Sequence, residues 1–225
     1  TLPQAARPQR VMIDTSAPVY TPTAATQAVQ DSFSRWALDL PFGTTPRMAE
    51  DVATLVVTDI GGIGNVSGSN DWIAEGVAIV AIDGQPLEPR KTLEEHILSA
   101  LKIDEDGMTR TPAWVRRPGE DVLDQTEIVV PVFRQTGLAD GTFLETRKQG
   151  ESWVTRVASL GSAATELRIG DLILGNTAAS GRFSNPQAVE MALTTLAQSG
   201  ATAAEFSILR NGQRLTASWR IAAGQ

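Results

Sequence analysis

Along this chain the spacing of hydrophobic residues switches between a period of two and a helical period, and the same succession of periods occurs twice. In the first copy, residues 52–59 (VATLVVTD) form a β-branched run that predicts a strand, residues 61–68 a glycine-rich turn, and residues 77–82 a second strand closed by Asp83-Gly84. In the second copy, residues 153–157 predict the strand, 161–167 a short helical turn, and 171–174 the next strand, closed by Gly175-Asn176. The correspondence is one of pattern rather than identity, which is the signature of an internal repeat.

Each copy continues into a helix with boundary signals of its own. Thr92-Leu93-Glu94-Glu95 reads as a capping box, followed by an apolar face of Leu93, Ile97, Ala100 and Leu101. In the second copy Asn185 stands at the cap, Pro186 at the first helical position and Gly200 just past the end, with Val189, Leu193 and Leu196 facing inward. Two strands around a turn close each copy: residues 114–116 and 127–133 about Pro118-Gly119, then 204–209 and 214–221 about Asn211-Gly212. Asn-Gly favours a tight hairpin because both central positions take positive φ. Ahead of the repeats, residues 1–26 carry Pro3, Pro8, Pro18 and Pro22 and read as an extended arm, and the spacing of Val29, Phe33, Trp36 and Ala37 predicts a helix over 24–38.

The second copy carries Leu167-Arg168-Ile169-Gly170-Asp171-Leu172-Ile173-Leu174-Gly175-Asn176 after the small-residue turn Gly161-Ser162-Ala163-Ala164. This stretch resembles the signature of PDZ domains of the kind found in bacterial HtrA-like, trypsin-like serine proteases. In the first copy residues 73–84 keep the same frame, with Val77 where the family usually has aspartate. The resemblance implies an α+β, mainly β fold of two PDZ-like domains, each a small partly open β-barrel or sandwich capped by two helices. Their expected bounds are 27–136, including the N-terminal helix, and 137–225, after the arm at 1–26. It further implies binding by β-augmentation, in which an extended peptide or a protein's C-terminus pairs with an open strand edge beside the second helix.

On that resemblance the candidate carboxylate loops are Phe42, Gly43 and Thr44 in the first copy and Thr142, Phe143 and Leu144 in the second. The candidate groove walls are Leu93 and Ile97, then Val189 and Leu193; each of these four has core packing as its plainer reading. Pro41 removes one amide from the first loop, and Glu145 beside the second would repel a peptide carboxylate. Capture of a free C-terminus and pairing with an internal strand both stay open.

Composition narrows the rest. With 42% hydrophobic and 20% charged residues over 225, the chain is an ordinary folded protein long enough for two small cores. A net charge of -7 leaves no basic stripe for nucleic acid or anionic membrane, and no apolar run reaches the length of a membrane span. With no cysteine and one histidine, neither a disulfide frame nor a zinc site is expected, and no cofactor or metal is predicted. His96, mid-helix beside Glu94 and Glu95, reads as a solvated position. Ser69 and Ser162 lack the glycine spacing of a serine nucleophile and read as turn residues. Gly61-Gly62-Ile63-Gly64 lacks the remaining elements of a phosphate loop, and Asp104-Glu105-Asp106 reads as a solvated helix end rather than a calcium loop.

The chain is therefore expected to be a non-catalytic peptide-binding tandem, an adaptor or regulator of envelope proteolysis. Family habit, a first residue that is Thr1 rather than Met, and the Pro/Ala/Thr-rich arm imply a periplasmic or secreted protein whose signal has been removed. Two alternatives are the regulatory PDZ segment of a larger HtrA-like protease and a structural scaffold whose open edges self-associate.

Overall fold

The computed structural model describes residues 33–49, 51–60, 70–138, 140–162, 165–176, 185–189, 191–192, 195 and 203–220. The expected arm at 1–26, the glycine cluster at 61–64, Ser69, Leu193 and Leu196 lie outside them. In chain order the elements are β1 (Phe33–Leu38), β2 (Gly43–Ala49), β3 (Val52–Asp59), β4 (Ala78–Ile82), β5 (Gln85–Pro86), α1 (Leu93–Ser99), β6 (Met108–Arg116), β7 (Leu123–Gly137), β8 (Phe143–Gln149), β9 (Ser152–Ser159), β10 (Leu172–Asn176), β11 (Ala203–Arg210) and β12 (Gln213–Arg220). Residues 188, 189, 191, 192 and 195 are also helical. The protein is thus mostly β, an open antiparallel sheet. Among the described residues no helix is long and apolar enough to cross a membrane.

Hydrogen-bonded strands follow the order β12-β11-β10-β9-β8-β7-β6-β4-β3-β2, with β1 added on β7 and β5 on β4. The order β2-β3-β4-β6-β7 matches β8-β9-β10-β11-β12 position by position, so the repeat in pattern is also a repeat in topology. Its backbone detail agrees. The Val57 amide donates to Val77 O at 2.9 Å and the Gly76 amide to Val57 O at 2.9 Å. In the second copy the Val157 amide donates to Asp171 O at 3.0 Å and the Gly170 amide to Val157 O at 2.9 Å. Gly76 and Gly170 both sit at left-handed φ, +86° and +90°, which the turn into β4 and β10 requires. The turns Asp83-Gly84 and Asn211-Gly212 have two consecutive positive φ values, as tight hairpins demand.

Two buried clusters form. One gathers residues from Leu38 to Val132 around Val57, Ile79, Ile97, Val115 and Ile128. The other gathers residues from Leu138 to Trp219 around Leu144, Val157, Ile208 and Trp219. Strand β7 joins them: Leu123 to Pro131 pair with β6, and Phe133 to Gly137 pair with β8 on one side and β1 on the other. Around this junction Arg147 stacks on Phe133 at 4.0 Å and pairs with Asp39 at 3.1 Å, and Trp36 meets Trp153 at 6.0 Å. Gly107, at φ +79°, lies so close to β8 that an added Cβ would fall 2.3 Å from Lys148 Cβ.

Four expectations are corrected. Residues 33–38 of the expected N-terminal helix form β1, because six residues of pairing with β7 satisfy backbone groups that a short helix would leave to its ends. Gly175-Asn176 does not close β10 but continues it opposite Ser207 and Phe206 after a bulge. Gly161 and Ser162 form a bend, and Thr165 bridges Trp219, so the described part of 161–167 is not a helical turn. His96 is buried, its Nε2 accepting the Glu88 amide at 3.3 Å, because α1 turns that face onto the segment that precedes it. The acidic run at 104–106 lies beyond α1, where Asp104 and Asp106 clamp Arg110.

Gly107→Ala is expected to cost roughly 2–4 kcal/mol, from positive-φ strain plus the clash with Lys148. Gly119→Ala, at the same φ with nothing within 4 Å of the added Cβ, should cost only about 1 kcal/mol. Urea denaturation of the two variants measures the difference.

Candidate functional site

Strand addition needs a strand with one unpaired edge, and the two copies differ at that point. Strand β2 ends the path of paired strands and, among the described residues, is bonded only to β3. Its counterpart β8 is flanked on both sides, by β9 and by β7.

The register shows which backbone groups are concerned. A two-residue loop closes the β2–β3 hairpin at Ala49↔Val52, a hydrogen-bonded pair, so alternation makes Met48↔Ala53, Pro46↔Leu55 and Thr44↔Val57 the non-bonded pairs. The amides and carbonyls of Thr44 and Met48, and the carbonyl of Pro46, therefore point to the free side. Pro46 has no N–H to offer there, which interrupts the edge. The same reasoning on β8, from the closing pair Gln149↔Ser152, turns Leu144 and Thr146 outward; they stand opposite Thr136 and Arg134 of β7. The edge open in the first copy is consumed by the chain itself in the second.

Beside the free edge, Pro46, Arg47 and Met48 form one wall of a small pocket of about 80 Å³. Leu87, Glu88, Pro89 and Lys91, which lead into α1, form the other. Glu88 and Lys91 are paired along that second wall at 2.6 Å. The helix start is held by Thr92, whose hydroxyl accepts the Glu95 amide while Glu95 accepts the Thr92 amide at 2.7 Å. These amide and hydroxyl hydrogen bonds from Thr92 hold the Glu95 carboxyl below its usual value.

The loop before β8 carries a carboxylate, and the loop before β2 begins next to one. At the end of β1 the Leu38 amide donates to Glu94 Oε1 of α1 at 3.1 Å; in the loop that follows, the Asp39 amide donates to Pro131 O and Pro41 has no amide. In the loop before β8, Asp140 accepts the Thr142 amide at 3.0 Å, the Thr142 hydroxyl at 2.8 Å and Trp219 Nε1–H at 3.1 Å. The Leu138 and Gly141 amides are spent on Thr142 O and Leu138 O within the same loop. Gly161 packs against this loop so closely that an added Cβ would meet Asp140 O at 2.0 Å.

The residues singled out from the sequence are placed as follows. Gly43 and Thr44 lie on β2 at a bulge, and Phe42 is buried edge-on against Trp72 at 5.8 Å. Leu93 and Ile97 are 2% and 0% exposed, within the first core, and Val189 is buried in the second. Thr142 and Leu144 are buried, and Phe143 pairs with Gly137 and Ser159. Glu145 is tied to Arg147 at 3.0 Å, so the carboxylate that fills the second loop is Asp140. Glu94, Asp140 and the far end of β7 were not signalled by any motif; the Asp140-Gly141 pair three residues after the end of β7 was the available sign of a tight loop.

Asp171, in the motif that carries the PDZ resemblance, has a structural role. It is 2% exposed, takes Arg210 Nε at 2.8 Å and Nη2 at 2.6 Å, and accepts the Arg168 amide at 2.7 Å. Val77 fills the matching place in the first copy without such a pair. No protein-family model matches this chain, and no curated protein matches its sequence.

Burial acts to raise the Asp171 carboxyl, and the hydrogen bonds from Arg210 and the Arg168 amide outweigh it, so the group titrates below the ordinary carboxylate value. A folded value below the unfolded one gives stability that is present above about pH 3.9 and is lost as pH falls through the folded value. Asp171→Asn is expected to lower stability at neutral pH, since it removes the buried carboxylate that accepts Arg210 and the Arg168 amide. Denaturation curves from neutral pH down to the acid transition should show the gap between wild type and variant closing as the wild-type carboxyl protonates.

Proposed function

We propose that this chain is a non-catalytic tandem of PDZ-like modules that binds one extended segment of a partner protein, by strand addition along β2 of the first module. The observation that carries this reading is the contrast at the edge: β2 is free among the described residues, whereas β8 is already paired with β7. The repeated strand order and the motif at 167–176 support the PDZ-like assignment. An internal segment is favoured over a free C-terminus because the second loop's donors are taken by Asp140, and the first loop lacks the Pro41 amide and starts at Leu38, whose amide holds Glu94. A like charge at that distance disfavours a second carboxylate. Regulation of envelope proteolysis in the periplasm is the setting this reading proposes, and the family resemblance alone supports it.

The test is titration of extended peptides, each as free acid and as C-terminal amide, followed by calorimetry. One peptide per chain and indifference to amidation are expected; two sites, or strong preference for the free acid, would overturn the reading. Pro46→Ala restores the missing donor on the free side and should tighten binding about tenfold, the worth of one well-made backbone hydrogen bond. Met48→Pro removes an outward donor without touching the β2–β3 ladder and should weaken binding by a similar factor.

A further inference from the structure

The chain has five asparagines, followed in turn by different residues: Asn65 by Val66, Asn70 by Asp71, Asn176 by Thr177, Asn185 by Pro186 and Asn211 by Gly212. An asparagine side chain is open to attack by the main-chain nitrogen of the next residue, so its neighbour decides its chemical lifetime. Val66 and Thr177 are β-branched and crowd that nitrogen, and Pro186 has no N–H to lose. Asn70 is 2% exposed, with Nδ2 donating to Val129 O at 2.7 Å and Oδ1 accepting the Val129 amide at 3.1 Å, so its side chain is held on β7. Asn211 is the opposite case. It is exposed at the tip of the β11–β12 hairpin, and the glycine after it has no side chain to shield its nitrogen. The hairpin ladder closes at Arg210↔Gln213, which leaves the Gly212 amide outside the pairing.

We propose that Asn211 is a self-modification site, where the chain converts its own asparagine to aspartate and isoaspartate. The Gly212 N–H loses its proton to solvent, the nitrogen bonds to Asn211 Cγ, and the side-chain amide leaves as ammonia with a proton returned by water. Water then opens the five-membered imide. Breaking the new Cγ–N bond gives aspartate on an intact main chain; breaking the C–N bond between residues 211 and 212 gives isoaspartate, with the main chain rerouted through Cγ. The balance is one water in and one ammonia out. The hairpin tolerates the two products differently. Aspartate keeps the turn, because it accepts the left-handed φ of +50° at 211 as asparagine does. Isoaspartate adds a main-chain atom to a two-residue loop and breaks the Arg210↔Gln213 closure. Arg210 holds the buried Asp171 at 2.6 and 2.8 Å, so the lesion falls next to the ion pair that fixes the motif at 167–176.

The test is prolonged incubation of the full chain in mildly alkaline buffer, followed by tryptic mapping and urea denaturation. The peptide 211–214, released by cleavage after Arg210 and Arg214, should gain about 1 Da from the exchange of NH2 for OH and become a substrate for an isoaspartyl methyltransferase. Peptides carrying the other four asparagines should gain it at least about tenfold more slowly. Asn211→Gly keeps a turn of two positive-φ residues without the reacting amide, so its urea midpoint should not move on incubation, whereas that of the wild type should fall. A peptide 211–214 that stays unmodified, an equally fast gain at another asparagine, or an aged wild type that keeps its urea midpoint as Asn211→Gly does would each overturn the proposal.

Discussion

The arrangement depends on one strand serving two cores. β7 is 15 residues long, about three times the usual strand, and its inward side chains enter the first core through Val132 before the chain passes into the second at Leu138. A strand cannot bend sharply without losing ladder hydrogen bonds, so the two copies are joined by backbone pairing rather than by a linker. The close approach of Gly107 to Lys148 and the position of Arg147 between Phe133, Asp39 and Glu145 follow from that shared strand. Gly107, Asp39, Arg147 and Lys148 belong to neither repeat pattern; they are what the junction required.

Sharing β7 also explains why two copies with one topology present different edges. In the first, the strand before the loop, β1, pairs with the closing strand β7, and β2 is bonded only to β3 among the described residues. In the second, the strand before the loop is β7 itself, which is held by β1 on one side and can reach only β8 on the other. The second edge is therefore closed by connectivity, and Asp140 completes the closure by taking up loop donors. A separate domain with the same sequence from β8 onward would not have that constraint.

Much of the fold was legible because short-range signals and long-range packing agreed. The β-branched run at 52–59, the capping box at Thr92, and the turns Asp83-Gly84 and Asn211-Gly212 are all local, and each appears where its residues predict it. The misread segments are those whose conformation a distant partner decides. Residues 33–38 carry a helical spacing that six residues of pairing with β7 override, and Gly175-Asn176, a turn by composition, is carried through by pairing with β11. His96 looked solvated from its neighbours because the Glu88 amide that engages it comes from the segment leading into the helix. At the site, the state of the edge could not be read from sequence: whether a strand is free is a property of everything beside it.

Pro46 shows how a free edge is tolerated. An unpaired strand invites pairing with any other, and a chain of net charge -7 gains only general, screened repulsion against that. A proline whose nitrogen faces the free side removes one donor from the template while leaving the pairing with β3 intact. The exposed Arg47 beside it adds a charge at the same edge. An edge interrupted once still accepts a strand, with one bond fewer, and this favours a partner whose side chains make up the difference over an arbitrary one. On the proposed reading, the cost in affinity is the source of selectivity: backbone pairing alone, the part every extended segment shares, is held below the level at which it would suffice.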